Sequence, residues 1–154
     1  MKAPHRSFRI ERFEPRQIRR ILAIEQVAFP SETYTREIFQ DLYRDCGGFF
    51  FVVKYSRVIA GYMVTCVNED RAEIISLAVH PSYRRRGGAK ALMAHTLTAL
   101  ARRRVRQVHL MVRTENHQAI AFYESFGFVR QRRVANYYED GGEGLRMRKL
   151  LRAE

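Results

Sequence analysis

A mixed α/β fold with helices on both faces of one sheet is what the sequence predicts, from three observations. Apolar residues switch along the chain between the period of two of strands and the 3.6 of helices, in the order β-α-α-β-β-β-α-β-α-β-β. The 154 residues are 46% apolar, enough for one proper core and so for one domain, 1–154. No repeat, low-complexity run or Pro/Gly/Ser-rich linker interrupts them.

Each element has its own signal. Ser7–Phe13 alternates Phe8, Ile10 and Arg12 against Arg9, Glu11 and Phe13, a short strand. Pro15 suits a first helical position, and Ile18, Ile21, Leu22, Glu25 and Ala28 follow at helical spacing until Pro30. Tyr34–Asp45 carries Ile38, Phe39 and Leu42 as a second helix, stopped by Gly47-Gly48. Phe49–Tyr55 and Val58–Val67 form a hairpin about Ser56-Arg57, and Ala72–Val79 is a third strand after Glu69-Asp70. A basic, glycine-bearing loop, Ser82–Ala89, leads into a helix marked by Leu92, Met93, Leu97, Leu100 and Ala101. Gln107–Arg113 places Val108, Leu110 and Val112 on one strand face and His109, Met111 and Arg113 on the other. Asn116–Phe126 is a helix closed by Gly127, and Phe128–Tyr138 with Gly144–Leu151 is a terminal hairpin about Asp140-Gly141-Gly142.

Composition excludes several classes. Aromatics at 12% and many aliphatic residues exclude disorder, and no apolar run approaches the roughly 20 residues of a spanning helix, so no membrane partner is expected. The start MKAPHRSFRIERF lacks the apolar stretch of a signal peptide. Cys46 and Cys66 are too few for a disulfide framework and have no metal-ligand company, so reduced thiols, a cytoplasmic setting and no metal are expected. Twenty-eight Lys and Arg against sixteen Asp and Glu give +12, which asks for anionic partners. Most of the Arg runs read as solvated surface.

Two segments carry chemistry. Arg84-Arg85-Arg86-Gly87-Gly88-Ala89 joins a strand to a helix. Its glycines let backbone N–H groups point outward, and the helix N-terminus adds positive charge, so a phosphate can sit there. It is neither a Walker loop nor a dinucleotide fingerprint. Taken alone, it serves equally well as a basic surface turn. The second segment is Asn116-x-x-Ala119-Ile120-x-Phe122-Tyr123-x-x-x-Gly127-Phe128. By periodicity Tyr123 is an ordinary core-edge aromatic; with its hydroxyl at a cleft it could donate a proton.

The two segments, about thirty residues apart and in this order, together resemble the GNAT superfamily of acyl-CoA-dependent N-acetyltransferases over nearly the whole chain. The RimI-type protein N-terminal acetyltransferases are the most similar branch. The resemblance implies a mostly antiparallel sheet of about seven strands, with a splay between strands 4 and 5 that takes acetyl-CoA. It implies that Leu77, Ala78 and Val79 meet the pantetheine as an added strand would. Arg84, Arg85, Arg86, Gly87, Gly88, Ala89 and Lys90 would hold the pyrophosphate, with Asn116 and Tyr123 also at the CoA. Phe29, Pro30, Tyr34, Met111, Tyr137 and Tyr138 would line the peptide site. In this scheme the amine attacks the thioester directly and Tyr123 protonates the departing thiolate.

The family pattern breaks at the base. RimI-type enzymes carry Glu, and relatives His, where this chain has Met111, which accepts no proton. Glu73 opens a strand face otherwise made of Ile75, Leu77 and Val79. It matches the base of the histone-type lysine acetyltransferases, so it is the expected base, acting through water, ahead of His109. A magnitude bears on the substrate: an α-amine near pKa 8 loses its proton at neutral pH for under roughly 1.5 kcal/mol, a lysine near 10.4 for about 4–5 kcal/mol. The expectation is an acetyl-CoA-dependent N-acetyltransferase acting on a protein or peptide N-terminus, in a ribosomal setting, as a monomer or homodimer. Acetylation of lysine or a small amine, and a non-catalytic acyl-CoA-binding module, are the alternatives. Nucleic acid is not expected as a direct substrate.

Overall fold

The computed structural model describes residues 8–152; the strand start at Ser7 and the basic segment before it lie outside these residues. Among the described residues seven strands hydrogen-bond in the order β1-β2-β3-β4-β5-β7-β6. They are β1 (Phe8–Arg12), β2 (Phe50–Tyr55), β3 (Val58–Asn68), β4 (Arg71–Val79), β5 (Gln107–Arg113), β6 (Val129–Val134) and β7 (Gly144–Leu150). Four α-helices join them: α1 (Ile18–Ala28), α2 (Arg36–Cys46), α3 (Gly88–Arg102) and α4 (His117–Ser125). Element order and type follow the apolar periods of the sequence. The boundaries that shift do so at turns: Pro15–Gln17 and Gly47–Phe49 are 3-10 turns, and α3 already begins at Gly88. β6 also stops at Val134, leaving a longer connection to β7 than the expected hairpin.

The chain divides into two compact units, Met1–Cys66 with Ile75–Ala99, and Val67–Ile74 with Leu100–Glu154. In the first, Phe13, Ile18, Ile21, Ile24, Phe39, Phe50, Val52, Ile59, Tyr62 and Val64 form a buried cluster. Phe13 stacks on Phe50 with centroids 4.1 Å apart, and Phe39 meets Tyr62 edge-on at 5.6 Å. α2 starts where Thr35 accepts a hydrogen bond from Ile38 N, the expected side-chain cap. The expectation of two reduced cysteines is corrected. Cys46, the last residue of α2, and Cys66 of β3 form a disulfide with Cα atoms 5.0 Å apart. Spacing along the chain carries no sign of that meeting, because packing of helix on strand creates it.

The second unit rests on cross-strand apolar pairs. Leu110 pairs with Met147 and Val112 with Leu145 between antiparallel β5 and β7, and all four side chains are buried. β4 and β5 run parallel and pair over three residues only, Arg71–Glu73 with Gln107–His109. α4 is capped at its start by Asn116, whose side chain accepts from Ala119 N, and it ends before Gly127 at φ 92°.

In the first unit Gly61 of β3 lies under β4, and a Cβ there would stand 2.6 Å from the carbonyl oxygen of Ala78. The obstacle is backbone, so it cannot swing aside. Gly61→Ala is expected to destabilise the fold by about 1–3 kcal/mol, read as a lower thermal unfolding midpoint; an unchanged midpoint would show that the two strands separate freely.

Candidate active site

In the first unit, one edge of β4 is engaged with β3. His80 N donates to Ala60 O at 2.7 Å, and the Ala78 carbonyl turns the same way, against Gly61. Backbone groups alternate between strand edges, so those of Leu77 and Val79 turn to the opposite edge. The Val79 carbonyl there accepts from Arg84 Nε at 3.3 Å. Leu77 and Val79 thus have the orientation an added strand needs, whereas Ala78 is turned into the β3 ladder.

The loop after β4 is shaped by backbone. Arg85 at φ 63° and Gly87 at φ 87° take left-handed conformations, the second one that glycine adopts without cost. The first α3 hydrogen bond runs from Ala91 N to Gly87 O at 2.9 Å. The N–H groups of Gly88, Ala89 and Lys90 come before it and have no partner within the helix. Alternating left-handed residues and a helix start form a cradle for a diphosphate. Arg86 is held in place, its carbonyl accepting from Tyr55 Oη at 3.1 Å and its guanidinium 5.4 Å from the ring centroids of both Tyr55 and Tyr83. These residues fit the pyrophosphate of a CoA thioester.

The segment between α1 and α2 holds Phe29, Pro30 and Tyr34. The Phe29 carbonyl accepts from Thr33 Oγ1 at 2.7 Å and from Glu32 N at 3.1 Å, while Pro30 is exposed. Tyr34 N donates to Glu25 Oε2 at 2.8 Å. Glu25 is 1% exposed, and its other oxygen accepts from the Tyr62 hydroxyl, which lies 2.8 Å from Ser76 Oγ on β4. Burial pushes the Glu25 carboxyl above its ordinary range, against the hydrogen bonds from Tyr62 and Tyr34. In sequence, Glu25 is only a helical-period residue; a carboxylate within an apolar stripe was the available signal.

The second unit carries the proton-transfer candidates. Tyr123 lies on α4 edge-on to Phe128, with centroids 5.9 Å apart, and burial pushes its hydroxyl up to about 12. The group therefore keeps its proton at neutral pH. Glu73 is half-buried and 3.5 Å from Arg146 Nη2. Burial raises its pKa, while the charges of Arg146 and Arg71 pull the other way. His109 is 4% exposed, and burial followed by Arg146, Arg71 and Arg148 lowers its pKa. Its Nε2 lies 2.9 Å from Arg71 Nη2 and 3.1 Å from Gln107 Oε1, so side chains of the protein already occupy that nitrogen.

Met111 and Tyr137 both border Gly144. A Cβ on Gly144 would stand 2.7 Å from Met111 Cε and 3.2 Å from Tyr137 Cβ. The connection between β6 and β7 is clamped by Arg113, which the sequence reading missed. Its guanidinium lies 4.2 Å from the Tyr138 ring centroid and 3.1 Å from Asp140 Oδ2. Gly142 N donates to Asp140 at 2.9 Å, and this bond, followed by Arg113, holds the Asp140 carboxyl below its ordinary range. Asn116 is used as a helix cap. Among the described residues no cluster of His, Cys, Asp or Glu is placed to hold a metal ion.

The acetyltransferase (GNAT) family matches residues 16–128 of the chain. A [ribosomal protein bS18]-alanine N-acetyltransferase of Escherichia coli K12 is 40% identical over 87 residues, covering 55% of this chain and 59% of that one, so the match spans under two thirds of that relative's length. An N-alpha-acetyltransferase of Saccharolobus solfataricus is 25% identical over 159 residues, 95% of each chain. The crystal structure of Ard1 from Thermoplasma volcanium is similar at a TM-score of 0.90 and 31% identity, over 94% of this chain and 98% of that one. Arrangement of strands and helices is therefore that of the GNAT fold, as expected from the sequence.

Folding raises the Glu25 pKa, so the folded chain binds that proton more tightly than the unfolded one. Stability from this group is then greatest in acid and falls as pH rises above 4.5 toward the raised value. Wild type is expected to lose thermal stability relative to Glu25→Gln across that window. Parallel midpoint-against-pH curves would show that Glu25 does not titrate in a buried setting.

Proposed function

Since the chain belongs to the acetyltransferase (GNAT) family, we propose that it is an acetyl-CoA-dependent N-acetyltransferase acting on the N-terminal α-amine of a protein or peptide. The observation that carries this reading is the joint from Leu77 to Lys90, a strand edge beyond the last β5 pair followed by a cradle of outward N–H groups. Names of the similar proteins point to the same class of substrate.

Acetyl-CoA supplies the acyl group as a thioester that a primary amine attacks, releasing the thiolate. Leu77 and Val79 pair with the pantetheine, and the Val79 carbonyl exchanges its Arg84 partner for the ligand. Amides from Arg85 to Lys90 would donate hydrogen bonds to the pyrophosphate, and the clamp on Arg86 keeps them pre-set. Tyr123, protonated at neutral pH, gives its proton to the leaving sulfur. Glu73 takes the proton from the attacking amine, through water, and its raised pKa makes it a better acceptor than an ordinary carboxylate. Met111 then has no proton to move and, with Tyr137 and Tyr138, forms the apolar wall beside the amine. An α-amine tolerates so weak a base where a lysine does not, since its deprotonation costs about 3 kcal/mol less.

CoA release against lysine-free peptides with free N-termini, set beside blocked peptides carrying an internal lysine, tests the reading. Turnover confined to the first set is the expected result, and turnover confined to the second would reassign the enzyme to lysine. Tyr123→Phe is expected to lower kcat by roughly 10²–10⁴-fold with acetyl-CoA affinity nearly intact; equal rates would remove Tyr123 from the mechanism. Glu73→Gln is expected to slow turnover most between the titration of the carboxylate and the amine pKa near 8, and an unaltered pH profile would hand the proton to bulk water.

A further inference from the structure

One face of the second unit's sheet carries arginines that the transfer step does not use. Residues paired across neighbouring strands, parallel or antiparallel, share a face, so the registers place the groups. Glu73 pairs with His109, His109 with Arg148, Met111 with Arg146, and Arg146 with Arg132. Arg132, Arg146 and Arg148 therefore stand beside Met111 and Glu73 on one side of the sheet. Arg130 and Arg133, which pair with Met147 and Leu145, stand on the other side.

The two sides are neutralised differently. On the far side Arg130 is bonded to Glu124 at 3.3 Å, and Arg133 lies 3.9 Å from Glu143. On the near side Arg146 has Glu73, while among the described residues neither Arg132 nor Arg148 has an ion pair. The Arg148 Nε is buried and has no hydrogen-bond partner. Nor has Nδ1 of the buried His109, whose Nε2 stands between Arg71 and Gln107. Directly opposed like charges, as in Arg132 and Arg146, oppose strand pairing. Several donors with a single carboxylate among them make a site for an added anion.

Met111 and Glu73 place the reacting amine on this face. His109 and Arg148 lie one side-chain repeat along the strands, about 7 Å away, within reach of a side chain near the peptide's N-terminus. We propose that this arginine face binds a carboxylate on the first or second residue of the peptide, so that the preferred substrates are proteins with acidic N-termini. The inference rests on the reading of the chain as an N-terminal acetyltransferase and names the substrate class within it.

The test uses seven-residue peptides, lysine-free with free N-termini, carrying Asp or Glu, Ala or Ser, or Arg at positions 1 and 2. KM is taken from CoA release, and affinity for C-terminally fluorescein-labelled copies from anisotropy on the CoA-saturated protein. Acidic peptides are expected to show KM and Kd lower than the Ala peptides by about tenfold or more, with the gap narrowing at high salt. The double variant Arg132→Gln, Arg148→Gln should close the gap, and Arg132→Glu should move the preference toward Arg peptides. Equal affinity for acidic and neutral peptides, or a gap that survives the double variant, overturns the proposal. Absence of turnover on every peptide would remove the acetyl-transfer reading, and the anisotropy would still decide on acidic selectivity.

Discussion

The pairing of β4 with β5 stops after three residues, and the chemistry proposed for the chain depends on that stop. A full parallel ladder would consume the backbone groups of Leu77 and Val79 and leave nothing for a ligand to pair with. Because the last rung is Glu73 with His109, the final paired residue of β4 is also the candidate base.

Two half-sacrificed carboxylates show how burial sorts otherwise identical groups. Glu25 gives both oxygens to fixed donors, Tyr34 N and the Tyr62 hydroxyl, and so it organises the segment from Phe29 to Tyr34. Glu73 has one long contact to Arg146 and partial exposure. A carboxylate with spare lone pairs, a raised pKa and access to water is suited to accept a proton; one with its lone pairs in use is suited to hold backbone in place. The same logic separates Tyr123, whose proton no acceptor among its neighbours claims, from Tyr62, whose hydroxyl is bound between Glu25 and Ser76.

Legibility in the sequence followed the range of the interactions. The cradle from Arg84 to Lys90 and the helix carrying Tyr123 are built from residues within one or two turns of each other, so glycines, caps and apolar period announce them. Asn116 was legible as a helix start, although its side chain serves the α4 cap. His109 was open to several roles in sequence, and only the fold shows its Nε2 held by Gln107 and by Arg71, the latter 38 residues away. The Arg113 clamp on Tyr138 and Asp140, the Cys46–Cys66 disulfide and the Glu25 network all join residues distant in the chain, and no spacing rule records them.

By itself the sequence determined the order and type of the elements and the strand-loop-helix joint that can hold a diphosphate. Those are consequences of local periodicity, glycine conformations and the chemistry of single side chains. Only the tertiary structure decided which edge of β4 stays unengaged, that Glu73 stands beside Arg146, and that Arg132, Arg146 and Arg148 share a face with Met111. Strand register sets these neighbours, and a slip of one residue would have turned every one of those side chains to the opposite face.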